Sequence, residues 1–93
     1  MPQPSIPTVS VIIPTYQRYE STIRALESAR RQTYPSLQIL VIEDGSDSGI
    51  EGYMRQVEDP RLVYHRHPDR RGLPAVRNTG TRLAEGEYVA FLD

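Results

Sequence analysis

Four short apolar segments recur along the 93-residue chain, and a stretch of helical character separates each from the next. Their sequences, rich in β-branched and aromatic residues as strands are, read VSVIIP at 9–14, LQILVIED at 37–44, RLVYH at 61–65 and YVAFLD at 88–93. Most of these positions are apolar, without the regular alternation of a strand that has one face in water. Because strands buried on both faces occur mainly in parallel sheets, the pattern predicts an α/β fold.

The three segments between the predicted strands have the spacing and the end signals of helices. One spans about 18–33, where apolar residues recur at helical spacing and Pro35 prevents continuation. A short one covers 50–57, and a third covers 73–83, with Pro74 in its first turn. Right-handed crossovers place such helices over both faces of a parallel sheet, so we predict a three-layer, Rossmann-like domain.

Polar residues gather at the carboxyl ends of the predicted strands. In chain order these ends carry Pro14-Thr15-Tyr16, Glu43-Asp44-Gly45, His65-Arg66-His67 and Asp93. Open parallel sheets bind their ligands in the crevice beyond these ends, so the arrangement predicts a binding site there. We interpret His65 and His67 as loop residues and not as metal ligands, because neither cysteines nor a carboxylate cluster accompany them in the sequence.

Composition and motifs argue against several classes of function. The chain has no cysteine, which excludes a thiolate metal site, and its net charge of -1 argues against general nucleic-acid binding. The segment after the first strand, PTYQR, is not the glycine-rich loop of dinucleotide-binding or P-loop proteins. A response-regulator receiver would have acidic residues at the end of the first strand, where this chain has Pro14.

The apolar segments are all far shorter than a membrane-spanning helix, and the proline-rich opening MPQPSIP lacks the apolar core of a signal peptide. We therefore predict a cytoplasmic location, for the chain itself or for this part of a membrane-associated protein.

Three runs in the chain, VSVIIPTYQR, QTYPSLQILVIEDGSDS and GLPAVRNTGTRLAEGEYVAFLD, together resemble the inverting glycosyltransferases of family 2. The resemblance covers residues 8–93 and leaves 1–7, which we predict to be a disordered tail. It implies the N-terminal, nucleotide-sugar-binding half of a GT-A domain, with strand order 3-2-1-4. It also implies transfer of a sugar from a nucleotide diphosphate donor to an acceptor hydroxyl, with inversion.

The resemblance assigns a role to each polar strand end. Asp44 matches an aspartate that accepts a hydrogen bond from the uracil ring, although an Asp-Gly pair that only shapes a turn is the alternative. Glu43 stands where the family commonly has another aspartate, and we expect a supporting role. Pro14, Thr15 and Tyr16 form the loop expected against the nucleotide, where Tyr16 either stacks on the base or packs over the sheet.

Two further positions match the family's donor site. Arg77, in the run VRN, is expected to hold the base or the diphosphate, and pairing with Glu43 or Asp44 is its alternative role. Asp93 matches the first aspartate of an Asp-x-Asp motif, which holds ribose and a divalent metal, Mg²⁺ or Mn²⁺, on the donor. One departure is Arg70, two residues before Gly72, where the family often has asparagine.

The second aspartate of that motif would follow residue 93, so we expect these residues to be the front part of a longer enzyme and to be inactive alone. The expected partner is a nucleotide-diphosphate sugar, in particular a UDP-sugar, with no nucleic acid. A non-catalytic nucleotide-sugar-binding module is the second hypothesis. The apolar fourth strand also predicts self-association at the sheet edge.

Overall fold

The computed structural model describes residues 7–33, 36–45 and 48–92. Strands and helices alternate along it in the order β1 (Val9–Thr15), α1 (Tyr19–Arg30), β2 (Leu37–Asp44), α2 (Ile50–Gln56), β3 (Leu62–His67), α3 (Leu73–Leu83) and β4 (Tyr88–Phe91). The strands form one parallel sheet in the order β3-β2-β1-β4. The predicted α/β fold and strand order are therefore confirmed.

The core consists of two apolar layers, one on each face of the sheet. Every residue of β2 is buried, and successive side chains point to opposite faces. On one face, Ile39 and Val41 pack with Leu26 of α1 and with α2. On the other face, Leu40 and Ile42 pack with Val76 of α3. Helices thus cover both faces, as predicted, and Glu43 and Asp44 point to different layers.

The ends of some elements differ from the prediction. α1 ends at Arg30, not near 33, and β3 continues to His67, two residues past its predicted end. The interpretation of His65 and His67 as loop residues is wrong, because both belong to β3 and pair with β2 in register. The sequence did not indicate that β3 continues this far. The strand is partly exposed, so its last three residues, 65–67, are polar and resemble the start of a loop.

Two predictions on the chain ends fall largely outside the described residues. The predicted tail at 1–7 is described only at its last position, and Asp93 is not described.

Among the described residues, no helix combines the length and the apolar character needed to cross a bilayer.

Gly80 marks a close contact between α3 and the sheet, and its replacement should destabilise the fold. A Cβ atom added at this position would lie 2.7 Å from the Cγ2 atom of Ile12, which is completely buried in β1. Gly80→Ala should therefore lower the free energy of unfolding by about 1–3 kcal/mol through overpacking, although alanine favours helix. Urea unfolding followed by circular dichroism would measure the change.

Gly52 in α2 provides a matched control for Gly80. A Cβ atom added there has no neighbour within 4 Å, so Gly52→Ala should be neutral or stabilise the protein by up to about 1 kcal/mol. Equal effects of the two substitutions would contradict the close packing of α3 on β1.

Candidate functional site

A cavity of about 440 Å³ lies at the carboxyl ends of β1 and β2, between α1 and α3. Its position agrees with the general rule for ligand sites of open parallel sheets. Among the predicted site residues, those that line it are Pro14, Thr15, Tyr16 and Asp44. Arg18 and Arg70 also line it, together with apolar side chains of α3. The described part of the lining thus combines one carboxylate, two guanidinium groups and an apolar wall.

Asp44 is the most extensively bonded residue of the cavity. Its Oδ1 atom accepts a hydrogen bond from the backbone N–H of Arg71, and its Oδ2 atom accepts one from the backbone N–H of Gly72, both at 2.9 Å. These bonds fix the loop before α3 to the end of β2. Asp44 is only 3% exposed, so its carboxylate is held by the protein and not by bulk water.

His67 contacts the same carboxylate from β3. Its Nδ1 atom lies 2.9 Å from Asp44 Oδ1, and its Nε2 atom lies 2.7 Å from the hydroxyl oxygen of Thr79 in α3. An ionised carboxylate only accepts hydrogen bonds, so Nδ1 is the donor to Asp44. His67 and Thr79 are both buried, and this chain of side chains connects β2, β3 and α3 below the cavity.

These contacts determine the charge of Asp44. Burial by itself would raise the pKa of its carboxyl group, but hydrogen bonds from Arg71, His67 and Gly72 together lower that pKa below its ordinary value. Asp44 is therefore ionised at neutral pH and presents a negative charge to the cavity.

Gly45 explains how the loop reaches Asp44. Its φ angle is +73°, and a Cβ atom at this position would lie 2.3 Å from the backbone nitrogen of Arg70. The loop backbone therefore packs directly on Gly45, and a larger residue would push it away from the carboxylate. Asp44 thus binds the loop before α3 by hydrogen bonds, and the missing side chain of Gly45 leaves space for the loop backbone.

Tyr16 and Arg70 contact each other beside the cavity. The Arg70 guanidinium carbon lies 4.2 Å from the centre of the Tyr16 ring, within the range of a cation–π contact. Among the described residues, neither Arg70 nor Arg18 has a carboxylate within ion-pair distance. Two cationic groups that line the same cavity are thus available to an anionic ligand.

Thr15 lines the cavity and also joins two elements of the fold. It is buried, and its hydroxyl oxygen accepts a hydrogen bond of 2.5 Å from Thr22 of α1. This bond connects the end of β1 to the first turns of α1, which carries further cavity residues.

Glu43 points away from the cavity, into the layer of α1 and α2. Its carboxylate accepts hydrogen bonds from Ser48, through the backbone N–H and the hydroxyl at 2.6 Å, and from the hydroxyl of Tyr64 in β3. Burial and this bond raise the pKa of Tyr64. Glu43 therefore connects the segment before α2 to the sheet, and its supporting role at the site stays a prediction.

Arg77 lies on an exposed part of α3. Its guanidinium carbon is 5.6 Å from the centre of the Phe91 ring of β4, and Arg77 is not among the residues that line the cavity. Its predicted contact with the base or the diphosphate, and the predicted metal contact of Asp93, therefore stay predictions. Within the described residues, no three carboxylate, imidazole or thiolate side chains come together as a metal site.

The model of glycosyl transferase family 2 matches residues 10–93. The chain belongs to this family. The resemblance predicted from the sequence motifs is thereby confirmed.

Several glycosyltransferases and solved structures are similar to nearly the whole chain. WcaA of Escherichia coli, a putative colanic acid biosynthesis glycosyl transferase, is 35% identical over 89 residues, which are 94% of this chain and 32% of that protein. WfaP of Escherichia coli, a UDP-Glc:alpha-D-GlcNAc-diphosphoundecaprenol beta-1,3-glucosyltransferase, is 31% identical over 91% of this chain and 34% of that protein. An uncharacterized glycosyltransferase of Rickettsia bellii is 36% identical over 91% of this chain and 12% of that protein.

The structure of the mannosyltransferase PcManGT from Pyrobaculum calidifontis, in complex with GDP-Man and Mn²⁺, superposes with a TM-score of 0.77 at 29% identity. The superposition covers 92% of the present chain and 27% of the PcManGT chain. The present chain thus spans about a third or less of the length of these proteins.

Proposed function

We propose that this chain binds a UDP-sugar in the cavity at the ends of β1 and β2, as the donor-binding part of an inverting glycosyltransferase. The observation that carries the proposal is the combination, in one cavity, of a buried ionised carboxylate and two arginines without an acidic partner among the described residues. Membership of glycosyl transferase family 2 supports the reaction class.

The cavity offers a complementary group for each part of a nucleoside diphosphate. The carboxylate of Asp44 suits a base N–H, since a hydrogen bond to a charged group contributes about 1.5–3 kcal/mol. The ring of Tyr16 suits the face of the base, with stacking of about 1–3 kcal/mol. The guanidinium groups of Arg18 and Arg70 suit the diphosphate, whose oxygens accept paired hydrogen bonds from arginine.

The remaining predicted residues have different places in this proposal. Pro14 and Thr15 support the loop that carries Tyr16, and Glu43 acts through the segment before α2. Arg77 and Asp93 are proposed to reach the donor from the side of β4, with Asp93 as the contact to ribose and to a Mg²⁺ or Mn²⁺ ion.

Transfer to an acceptor hydroxyl also requires a base that removes the hydroxyl proton. Of the described residues, Asp44 is the carboxylate that lines the cavity, and three hydrogen bonds already engage it. We therefore propose that the 93 residues bind the donor and do not catalyse transfer alone. The cytoplasmic location stays a prediction.

The same observation favours a second candidate, a nucleotide-sugar-binding module without transfer activity. Such a module would use the same cavity and would need no base. Incubation of a longer natural protein that contains this chain with a UDP-sugar and candidate acceptors distinguishes the two, because only a transferase releases UDP faster with an acceptor present.

Titration of the ¹⁵N-labelled chain with UDP, CDP, GDP and inorganic diphosphate would test the binding proposal. We expect amide shifts around Tyr16, Asp44 and Gly72, with UDP the tightest ligand. Its dissociation constant should be about millimolar or weaker, near -4 kcal/mol, because two arginine side chains are the proposed contacts to the diphosphate.

Two arginine variants provide the specificity control. Arg70→Ala should weaken every ligand that carries a diphosphate, whereas Arg55→Ala, on the outer face of α2, should change none. Shifts confined to β4, or no shift at any nucleotide concentration, would refute the proposed site.

A further inference from the structure

We infer that His67 determines base choice in this site, because it occupies an acceptor position of Asp44 that guanine would need. The inference deepens the proposed function and rests on it. It concerns a histidine that was not among the predicted site residues, and it follows from the hydrogen bonds that the Asp44 carboxylate already accepts.

A carboxylate has two oxygens with about four acceptor positions in all. On Oδ1 of Asp44, the Arg71 N–H and His67 Nδ1 take two of these positions, both at 2.9 Å. On Oδ2, the Gly72 N–H takes one at 2.9 Å. One position therefore stays available, on Oδ2. Because Asp44 is 3% exposed and lines the cavity, a ligand in that cavity is what can use it.

The bases differ in how many donors they present on one edge. Uracil has a single ring N–H between two carbonyl oxygens, which matches one available acceptor. Guanine has a ring N–H and an amino group side by side, and this pair engages both oxygens of a carboxylate. With His67 on Oδ1, one guanine donor would be desolvated without an acceptor, and this would weaken the binding of GDP relative to UDP.

His67 is the adjustable member of the three partners of Asp44. The amides of Arg71 and Gly72 belong to the backbone of a loop that packs on Gly45, so they do not depend on side-chain identity. The imidazole of His67 is held in place by Thr79 at 2.7 Å and is 4% exposed. It is thus a positioning residue that acts on the ligand through Asp44.

Two amide variants separate the two bonds of the imidazole. In His67→Asn the side-chain amide takes the place of Nδ1 and still donates to Asp44. In His67→Gln the longer side chain takes the place of Nε2, keeps the contact to Thr79 and frees Oδ1. We expect His67→Asn to keep the preference of the wild-type chain for UDP over GDP, and His67→Gln to shift the ratio of the two dissociation constants roughly tenfold toward GDP.

The measurement is titration of each ¹⁵N-labelled 93-residue variant with UDP and with GDP. His65→Asn and His65→Gln are the matched controls, since His65 is exposed on the same strand and contacts His67 only through a ring edge at 5.8 Å between centroids. Both should leave the ratio unchanged.

The outcomes distinguish this inference from the proposed function. If the wild-type chain binds neither nucleotide, the proposed function fails, and the inference with it. If it binds GDP as tightly as UDP, the inference and the expected preference for UDP are refuted, whereas nucleotide binding in the cavity is not. This test requires no variant to fold. An equal ratio in His67→Gln and His67→Asn, with dispersed spectra in both, would also refute it.

Discussion

Replacement of Asp44 by alanine should lower the free energy of unfolding by about 3–5 kcal/mol and abolish nucleotide binding. The substitution leaves the buried His67 imidazole and the partly buried amides of Arg71 and Gly72 without their acceptor. Each unpaired buried donor costs about 1–3 kcal/mol. Because a domain of this size has only about 5–15 kcal/mol of stability, the loop before α3 should detach first.

Asp44→Asn separates the binding role from the structural one. The amide keeps the shape of the side chain and one acceptor oxygen, so the variant should fold, with amide shifts confined to 67–72. The variant loses the negative charge, and its NH₂ group replaces one acceptor oxygen by a donor. UDP affinity should therefore fall at least roughly tenfold. Asp69→Ala, at an exposed loop aspartate, is the control and should change stability by less than about 0.5 kcal/mol.

The pH dependence of stability gives a second readout of the same bonds. The pKa of Asp44 is lowered in the folded protein, so its contribution is complete above the ordinary value of 3.8 and is lost as the pH falls below it. Asp44→Asn should therefore make the stability less dependent on pH in this acidic range. Unchanged stability and unchanged UDP affinity in both Asp44 variants would contradict the arrangement of the site.

The fold was predictable from the sequence because local pattern and topology agree. Buried strands such as LQILVIED have no polar face, and this allows only a sheet covered on both sides. The family resemblance then determined the strand order, which alternation alone does not. The position of the cavity was also predictable, since four of the residues that line it lie at the carboxyl ends of strands.

The hydrogen-bond partners of Asp44 could not be predicted from the sequence in the same way. The contact with His67 depends on the register of β2 and β3, which pairs these two residues and which no local signal specifies. That Glu43 points away from the cavity could have been predicted, because adjacent residues of a strand point to opposite faces and Asp44 is its neighbour. Arg77 was assigned to the site from the motif VRN alone. That motif does not indicate which face of α3 carries Arg77, and in the structure this side chain lies near Phe91 of β4.

The second large effect that we expect is self-association of the 93-residue chain through β4. This strand pairs with β1 on one side only, so the backbone groups on its other side have no strand partner among the described residues. Its sequence YVAF carries no charge, and Tyr88 and Phe91 are 65% and 45% exposed. Apolar edge strands of this kind pair with a second copy, and a two-fold axis would join the two β4 strands in antiparallel orientation.

Light scattering during size-exclusion chromatography should therefore show a mass that rises toward that of a dimer with increasing concentration. Val89→Lys should restore the monomer, because a charged side chain on an edge strand opposes pairing. Val63→Lys on β3 is the matched control, since Val63 is 38% exposed and Val89 is 37% exposed, and each lies on an edge strand. β3 already carries Arg66 and two histidines, so its edge is protected and the control should leave association unchanged. A wild-type chain that stays monomeric at the highest concentration, or a dimer that Val63→Lys disrupts and Val89→Lys does not, would show that β4 is not the interface.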